Sequence, residues 1–394
     1  MEKEIKVKPR ILFINSVCGF GSTGRIVADL SKMDEFETLV CFGRKKDYAN
    51  VNSYKFSNFF DNAFGAFETI LFDNNLNICN RATERLIKKI KEFNPDIIHL
   101  HNLHGYYVNI EMLFKFLKEY NKPVVWTLHD CWPITGYCPH FDGINCDKYK
   151  NECYNCQHKF SYPFSLFKQN VKNDFYKKKE LFNDLNNLIL VTPSNWLSNI
   201  LNDSFLSKHK KIVINNGIRL NDYKTTKHKE EQFTILAASS IWSKEKGIDE
   251  LNKIIPLLDK DIKIKVIGKG SNKVKNCIAI KRTNSKKEMI DLYSSSHLFI
   301  NPTLEDNFPT VNIESLACGT PVLTYNTGGS PEILDKDSGI VIEKTNYKEM
   351  ARMINELKDN YHFDSNKCIE RSRMFSLDNM IKKYQELYES LLVK

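Results

Sequence analysis

The 394-residue sequence has no apolar run near the roughly 20 residues that a membrane-spanning helix needs. Its first residues, MEKEIKVKPRILFIN, pass from charges straight into a strand pattern, without the apolar core and cleavage pattern of a signal peptide. It carries no recognised nucleic-acid-binding motif, although its net charge is +9. The excess lies in scattered lysine runs such as 177–179 and 286–287, which points to phosphorylated small molecules or an anionic membrane face and away from nucleic acid. The eleven cysteines are odd in number and seven are spread singly, as thiols are in a reducing compartment and not in a disulfide scaffold. The expectation is a cytoplasmic protein able to touch the membrane from that side.

With 42% hydrophobic and 27% charged residues, the composition is that of an ordinary soluble chain. Its length is comfortable for two domains. Strand-like runs alternate with helical patterns twice over, which predicts an α/β protein with parallel sheets covered on both faces. In the first half the runs are RILFI (10–14), DIIHLHN (96–102), VVWTLHD (124–130), LILVTPS (188–194) and KIVINNGI (211–218). The polar stretch 222–232 lacks apolar periodicity and reads as a linker between domains at 1–220 and 232–375. In the second half the runs are FTILAAS (233–239), IKIKVIG (262–268), HLFINP (297–302) and 322–325; an amphipathic helix closes the chain at 377–392.

Residues 304–320, LEDNFPTVNIESLACGT, hold the strongest chemical pattern. A strand feeds an acidic loop, and the chain turns at Pro309 into a helix that Gly319 ends. The first-turn amides of Thr310, Val311 and Asn312 then face the ligand crevice of an open sheet, where they favour a phosphate. Asp306 and Glu314 stand on either side as holders of hydroxyl groups, so anion and polyol together indicate a nucleotide sugar. Glycines 19, 21 and 24 lie between the first strand and first helix, a second place where backbone can approach an anion. His101, Asn102, His104, His129 and Asp130 end strands and are candidates for chemistry; His99, inside its strand, is expected to be structural.

The loop 131–158 spaces Cys138, Cys146, Cys153 and Cys156 as C-x7-C-x6-C-x2-C, with His140 and His158 in reserve. Four such thiolates can close a structural zinc site that staples the loop, and free thiols or a redox pair are the alternatives. Two D-x-D strings, 259–261 and 335–337, fall in charged turns and are read as chance, so no catalytic metal is expected. A basic helix over 164–185 has apolar residues at helical spacing; it either packs by one face or rests on an anionic membrane.

The stretch LEDNFPTVNIESLACGTPV resembles the E-x7-E signature of retaining, family-4 type glycosyltransferases, usually written EGFGLPVLEAMACGTPV. Glu314 matches the second glutamate, and Asp306 stands for the first. TLHD resembles the segment that brings the family's histidine, here His129, beside the donor sugar. Lys246 matches the lysine of the family's G-R-L-x-x-x-K-G run; the arginine's place falls among 240–242, with Lys244 in reserve. Gly268 begins the turn that approaches the nucleotide base, and residues 326–332 resemble the T-x-x-G-G-x-x-E loop. The TLHD-x-W-P-x-T-G run with clustered cysteines resembles the subgroup of capsular and exopolysaccharide assembly.

The resemblance implies a GT-B fold, two doubly wound Rossmann-like domains facing across a cleft, with helix 377–392 returning to the first. It implies transfer of a sugar from a nucleoside-diphosphate sugar to a lipid-linked or growing glycan acceptor, with retention of configuration. Lys246 and the amides of Thr310 and Val311 would receive the diphosphate, Glu314 the ribose, Asp306 the donor's hydroxyls and His129 the transferred sugar. The loop with Gly21 and Gly24 would face diphosphate and acceptor. The alternatives are an epimerase or phosphorylase of the same fold, or a non-catalytic zinc-stapled binding protein.

Overall fold

The computed structural model describes residues 8–47, 50–156, 164–167, 170–225, 228–283 and 285–393. Its first sheet has seven strands: β1 (Arg10–Asn15), β2 (Glu37–Phe42), β3 (Ser53–Lys55), β4 (Ile97–Leu100), β5 (Val124–Thr127), β6 (Leu188–Thr192) and β7 (Lys210–Val213), in the order β3-β2-β1-β4-β5-β6-β7. The second has six: β8 (Thr234–Ile241), β9 (Lys263–Lys269), β10 (Ile278–Ile280), β11 (Leu298–Asn301), β12 (Val322–Tyr325) and β13 (Gly339–Ile342), in the order β10-β9-β8-β11-β12-β13. The strand pairs in both are parallel.

The helices between them are α1 (Gly21–Leu30), α2 (Phe59–Phe72), α3 (Asn80–Phe93), α4 (Ile110–Tyr120), α5 (Val171–Asn183), α6 (Asn195–Asn202), α7 (Ile248–Ile254), α8 (Lys286–Ser295), α9 (Thr310–Ala317), α10 (Ser330–Ile333), α11 (Tyr347–Asp359), α12 (Ser365–Ser372) and α13 (Leu377–Leu392). Among the described residues, no helix is long and apolar enough to cross a membrane.

Because crossover helices cover both faces, interior strands such as β4 and β5 are buried at every residue and read as continuous apolar runs. Successive side chains still point to opposite faces. Leu12 and Ile14 of β1 join one apolar core while Ile11 and Phe13 join another. Ile235 and Ala237 of β8 are likewise separated from Leu236 and Ala238. Each sheet therefore has a core on either side, the doubly wound arrangement. In such sheets the crevice for ligands opens where the strand order reverses, between β1 and β4 and between β8 and β11.

The closing helix α13 belongs to the second half by sequence and to the first by packing. Its Leu377, Met380, Tyr384, Leu387 and Tyr388 are buried with Ile11, Phe13 and Val125. Polar contacts fix it: Tyr388 Oη lies 2.7 Å from His99 Nδ1, His99 Nε2 is 2.8 Å from Thr127 Oγ1, and Thr127 Oγ1 is 2.8 Å from Tyr384 Oη. Burial holds His99 well below the usual histidine pKa, so it is a neutral hub with both nitrogens engaged.

The basic helix is shorter than the 164–185 pattern: α5 starts at Val171, and Leu166 and Phe167 before it are exposed. Val171, Phe175, Phe182 and even Lys178 are buried, so the helix packs by its apolar face. Replacing Tyr388 by Phe should leave His99 Nδ1 without a partner and lower unfolding free energy by about 1–3 kcal/mol in urea titrations, with nucleotide affinity unchanged.

Candidate active site

On the second domain the two loops at the reversal point are sewn together. Gly247 opens α7 at φ +80, and a Cβ there would lie 2.1 Å from Pro302 O, so the loop after β8 abuts the end of β11. Leu304 N and Glu305 N both donate to Glu245 O, at 2.8 and 3.2 Å. Lys246 Nζ is thereby brought 2.7 Å from Asp306 Oδ2 and 3.1 Å from Glu305 O. Lys244 is exposed on the same loop. Gly268, at φ +131, packs so closely that a Cβ would meet Ser239 O at 1.7 Å, and Trp242 Nε1 closes the turn by donating to Ile267 O at 2.9 Å.

Pro309 caps α9 without a side-chain acceptor, and Thr310 and Val311 open the helix half-buried. Asn312 N turns back to Pro309 O at 3.1 Å, so the anion site rests on two amides where the sequence pattern counts three. Glu314, in the second turn, accepts from Tyr293 Oη at 3.3 Å, and Tyr223 also hydrogen-bonds it. Burial raises its pKa above the ordinary 4.5, against the pull of these hydroxyls and of Arg25. Arg25 belongs to α1, so the electrostatic field at Glu314 is partly the first domain's. The Gly328-Gly329 turn approaches the protein's own backbone, not open ligand space: Cβ atoms there would stand 1.7 Å from Asp306 O and 2.5 Å from Asn307 O.

On the first domain, Gly21 begins α1 at φ +67 with open space around it, while Gly24 packs beneath, 3.0 Å from Val17 Cγ2 had it a Cβ. After β4 and β5 the strand-end histidines converge. His101 Nδ1 is 3.0 Å from His129 Nε2, with the rings stacked. His101 Nε2 is buried with no hydrogen-bond partner among the described residues. Burial lowers the pKa of His129 to about 4, so it is a neutral imidazole near pH 7. Asp130 takes a different partner, His104 Nε2 at 2.7 Å, and accepts from Trp132 N at 2.9 Å. Burial alone would raise the Asp130 pKa, but His104 and that amide hold it at about 2.

In the cysteine loop, Cys138 and Cys146 pack with one apolar group, Cys153 and Cys156 with another, although Cys138 hydrogen-bonds Cys156. Among the described residues no group of three or more His, Cys, Asp or Glu is placed to hold a metal ion. His158, a reserve ligand in the sequence reading, lies outside the described residues. The loop is also braced by Lys178, fully buried, whose Nζ donates to Trp132 O at 2.9 Å and Thr135 O at 3.0 Å and lies 3.5 Å over the Trp132 ring. Burial pushes its pKa down to about 7. The D-x-D strings are structural as well: Asp259 and Asp261 pair with Lys358, and Asp335 Oδ1 accepts from Ser338 Oγ at 2.7 Å.

Several residues that span the two domains escape sequence reading. Glu332 accepts from Asn195 N and Trp196 N at the start of α6, at 2.8 and 2.7 Å. Ser194 Oγ lies 3.0 Å from Asn307 Oδ1, and the cysteine loop reaches over through Gly143 N to Glu305 Oε1 at 2.9 Å. Glu305, adjacent to Asp306 in sequence, is thus a buried latch. For Glu332 a signal existed, since it ends the GGSPE run; for Arg25 and Glu305 no spacing distinguishes them from surface charges. We expect Lys178→Met to strip two buried carbonyls of their donor and cost about 3 kcal/mol in chemical denaturation, whereas treatment with a chelator leaves the melting temperature unchanged.

Comparison with known proteins accords with this geometry. Residues 38–222 match the family model described as Glycosyltransferase Family 4, and residues 220–375 the one described as Glycosyl transferases group 1. WcaC of Escherichia coli K12, named for glycosyl transfer in colanic acid biosynthesis, is 24% identical over 320 residues, 75% of this chain and 77% of that one. The capsular polysaccharide biosynthesis glycosyltransferase CapM of Staphylococcus aureus is 29% identical over 185 residues, 39% of this chain and 48% of the relative. Among solved structures, Anabaena Alr3699/HepE in complex with UDP superposes at a TM-score of 0.67 and 14% identity, covering 97% of this chain and 100% of that one. With two family models spanning its two halves and two parallel Rossmann-like sheets beneath them, the chain belongs to the GT-B glycosyltransferases of group 1 and family 4.

Proposed function

We propose that the protein transfers a sugar from a nucleoside-diphosphate sugar to a hydroxyl of a lipid-linked or growing cell-surface glycan, with retention of configuration. The observation that carries this reading is the grouping at the β8/β11 reversal: Lys246, Asp306, the amides opening α9, and Glu314. The UDP complex of the Anabaena neighbour favours a uridine nucleotide, and its UDP-glucose complex a hexose donor. The polysaccharide names of WcaC and CapM favour a glycan acceptor.

As the glycosidic bond to the diphosphate breaks, negative charge builds on the leaving phosphate and positive charge on the sugar. Lys246, drawn from Asp306 to the diphosphate, and the amides of Thr310 and Val311 would stabilise the former without reorganisation. Asp306, released, would accept from donor hydroxyls, and Glu314 from the ribose. His129, neutral because it is buried, would serve as a hydrogen-bonding group to the transferred sugar and not as a cation. The Gly21 and Gly24 loop offers the acceptor side, and Arg25 at the same helix start supplies positive potential where the family's arginine is absent. With no side chain in the role of nucleophile, retention would follow from attack on the face the diphosphate leaves.

Glu314→Ala should weaken UDP binding in calorimetry by roughly 10- to 100-fold, the worth of one or two hydrogen bonds to a carboxylate. Unchanged affinity would overturn the assignment. Because burial raises the Glu314 pKa, the carboxylate is lost on acidification sooner than an exposed glutamate. UDP affinity should therefore begin to fall while the pH is still above 4.5, and Glu314→Gln should flatten that fall. A donor-hydrolysis and transfer assay separates this reading from the same-fold alternatives, since an epimerase would yield free sugar without acceptor and a phosphorylase would require phosphate.

A further inference from the structure

Helix α2 is amphipathic in the reverse sense. Its buried strip is made of small residues, Gly65 and Thr69, and a Cβ on Gly65 would meet Cys79 Sγ at 2.6 Å. The wide face is turned outward and carries Phe59, Phe60, Phe64, Phe67 and Phe72, from 49% to 78% exposed. Phe60, Phe64 and Phe67 stand at i, i+4 and i+7 on one stripe. Leu166 N donates to Ile70 O at 3.1 Å, which lays the exposed Leu166 and Phe167 alongside. Scattered exposed apolar residues need no explanation, but seven large ones on one surface do.

One edge of this patch is basic. Asn62 Nδ2 of α2 donates to Gly43 O at 3.1 Å, and the next three residues, Arg44, Lys45 and Lys46, are exposed. Of the nearby acids, Asp61 caps Asn58 N and pairs with Arg85, Glu68 lies part-buried on α2 where burial favours its neutral form, and Asp47 ends the basic run, which keeps a net positive charge. Lys45 sits 4.2 Å over the ring of Phe20, in the glycine loop that starts α1. Apolar face, basic edge and the acceptor-side loop are thus contiguous.

We propose that α2, with Leu166 and Phe167, docks the protein on an anionic membrane surface. The phenylalanines enter the headgroup and acyl boundary while Arg44, Lys45 and Lys46 meet the lipid phosphates. Charge complementarity selects this occupant over a second copy of the chain, because a two-fold contact through the patch would bring like-charged edges into one interface. Docking here holds the Gly21 loop next to the bilayer, where a lipid-linked acceptor presents its hydroxyl. In its purpose the inference rests on the glycosyl-transfer reading, but membrane binding is measurable without turnover.

The test is co-sedimentation of the full chain with vesicles of phosphatidylethanolamine containing about one-third phosphatidylglycerol, against phosphatidylcholine vesicles. Binding to the anionic vesicles is expected. Phe60→Ser with Phe64→Ser should reduce partitioning roughly tenfold or more, and Arg44→Ser with Lys46→Ser should reduce it most at low salt, with melting temperature and UDP affinity unchanged in both. Equal partitioning of parent and phenylalanine variant, absence of binding by the parent, or a parent dimer that the variant converts to monomer would each overturn the proposal. Loss of UDP binding by the parent chain would instead sink the transferase reading and leave the vesicle result standing.

Discussion

A Cβ at Gly247 would stand 2.1 Å from the carbonyl oxygen of Pro302, and the second domain's chemistry depends on that missing atom. Only with the two loops in contact can Lys246 cross from the β8 side to the Asp306 side. The ion pair itself is half exposed and contributes little to stability. Its value is positional, since it holds a cation and a carboxylate beside the open amides of α9. The same economy recurs at Gly268, Gly328 and Gly143, where backbone fits against backbone or against a latch carboxylate and leaves side-chain space to the ligand.

Three histidines on neighbouring strands show how burial assigns roles. His99 has a hydroxyl at each nitrogen and is part of the frame. His101 shares one nitrogen with His129 and keeps the other dry, so it orients the ring at the cleft. His129, mostly but not fully buried, is the least enclosed of the three and so the candidate to meet a sugar. A fourth, His104, stands apart from them against the Asp130 carboxylate.

Much of the architecture was legible because buried parallel strands are apolar at every position and announce themselves, as RILFI and VVWT do. Short strands at or near the sheet edges, β3, β10 and β13, carry partly exposed residues and leave no such trace. The 304–320 stretch was readable since helix caps and paired carboxylates are local. Arg25, Glu305 and Lys178 were not, because their importance lies in what the fold sets against them. The cysteine spacing shows the limit of counting: four thiols in one loop interact with one another, yet their number does not state the geometry they take up. The apolar periodicity of 164–185 served the interior from Val171 onward, while Leu166 and Phe167 joined the outward aromatic face of α2.

The return of α13 has a consequence for biosynthesis. The first sheet is finished with residues 210–213, yet one of its two cores also takes in Tyr384, Leu387 and Tyr388, which are made only after the whole second sheet. At about 5–20 residues per second, the ribosome needs on the order of ten seconds or more to supply them. During that interval Ile11, Phe13 and Val125 lack their cover, and the earlier half of the chain waits on the later one. The first domain therefore completes this core only after the second has been synthesised, and a chain cut before α13 would leave an apolar seam uncovered.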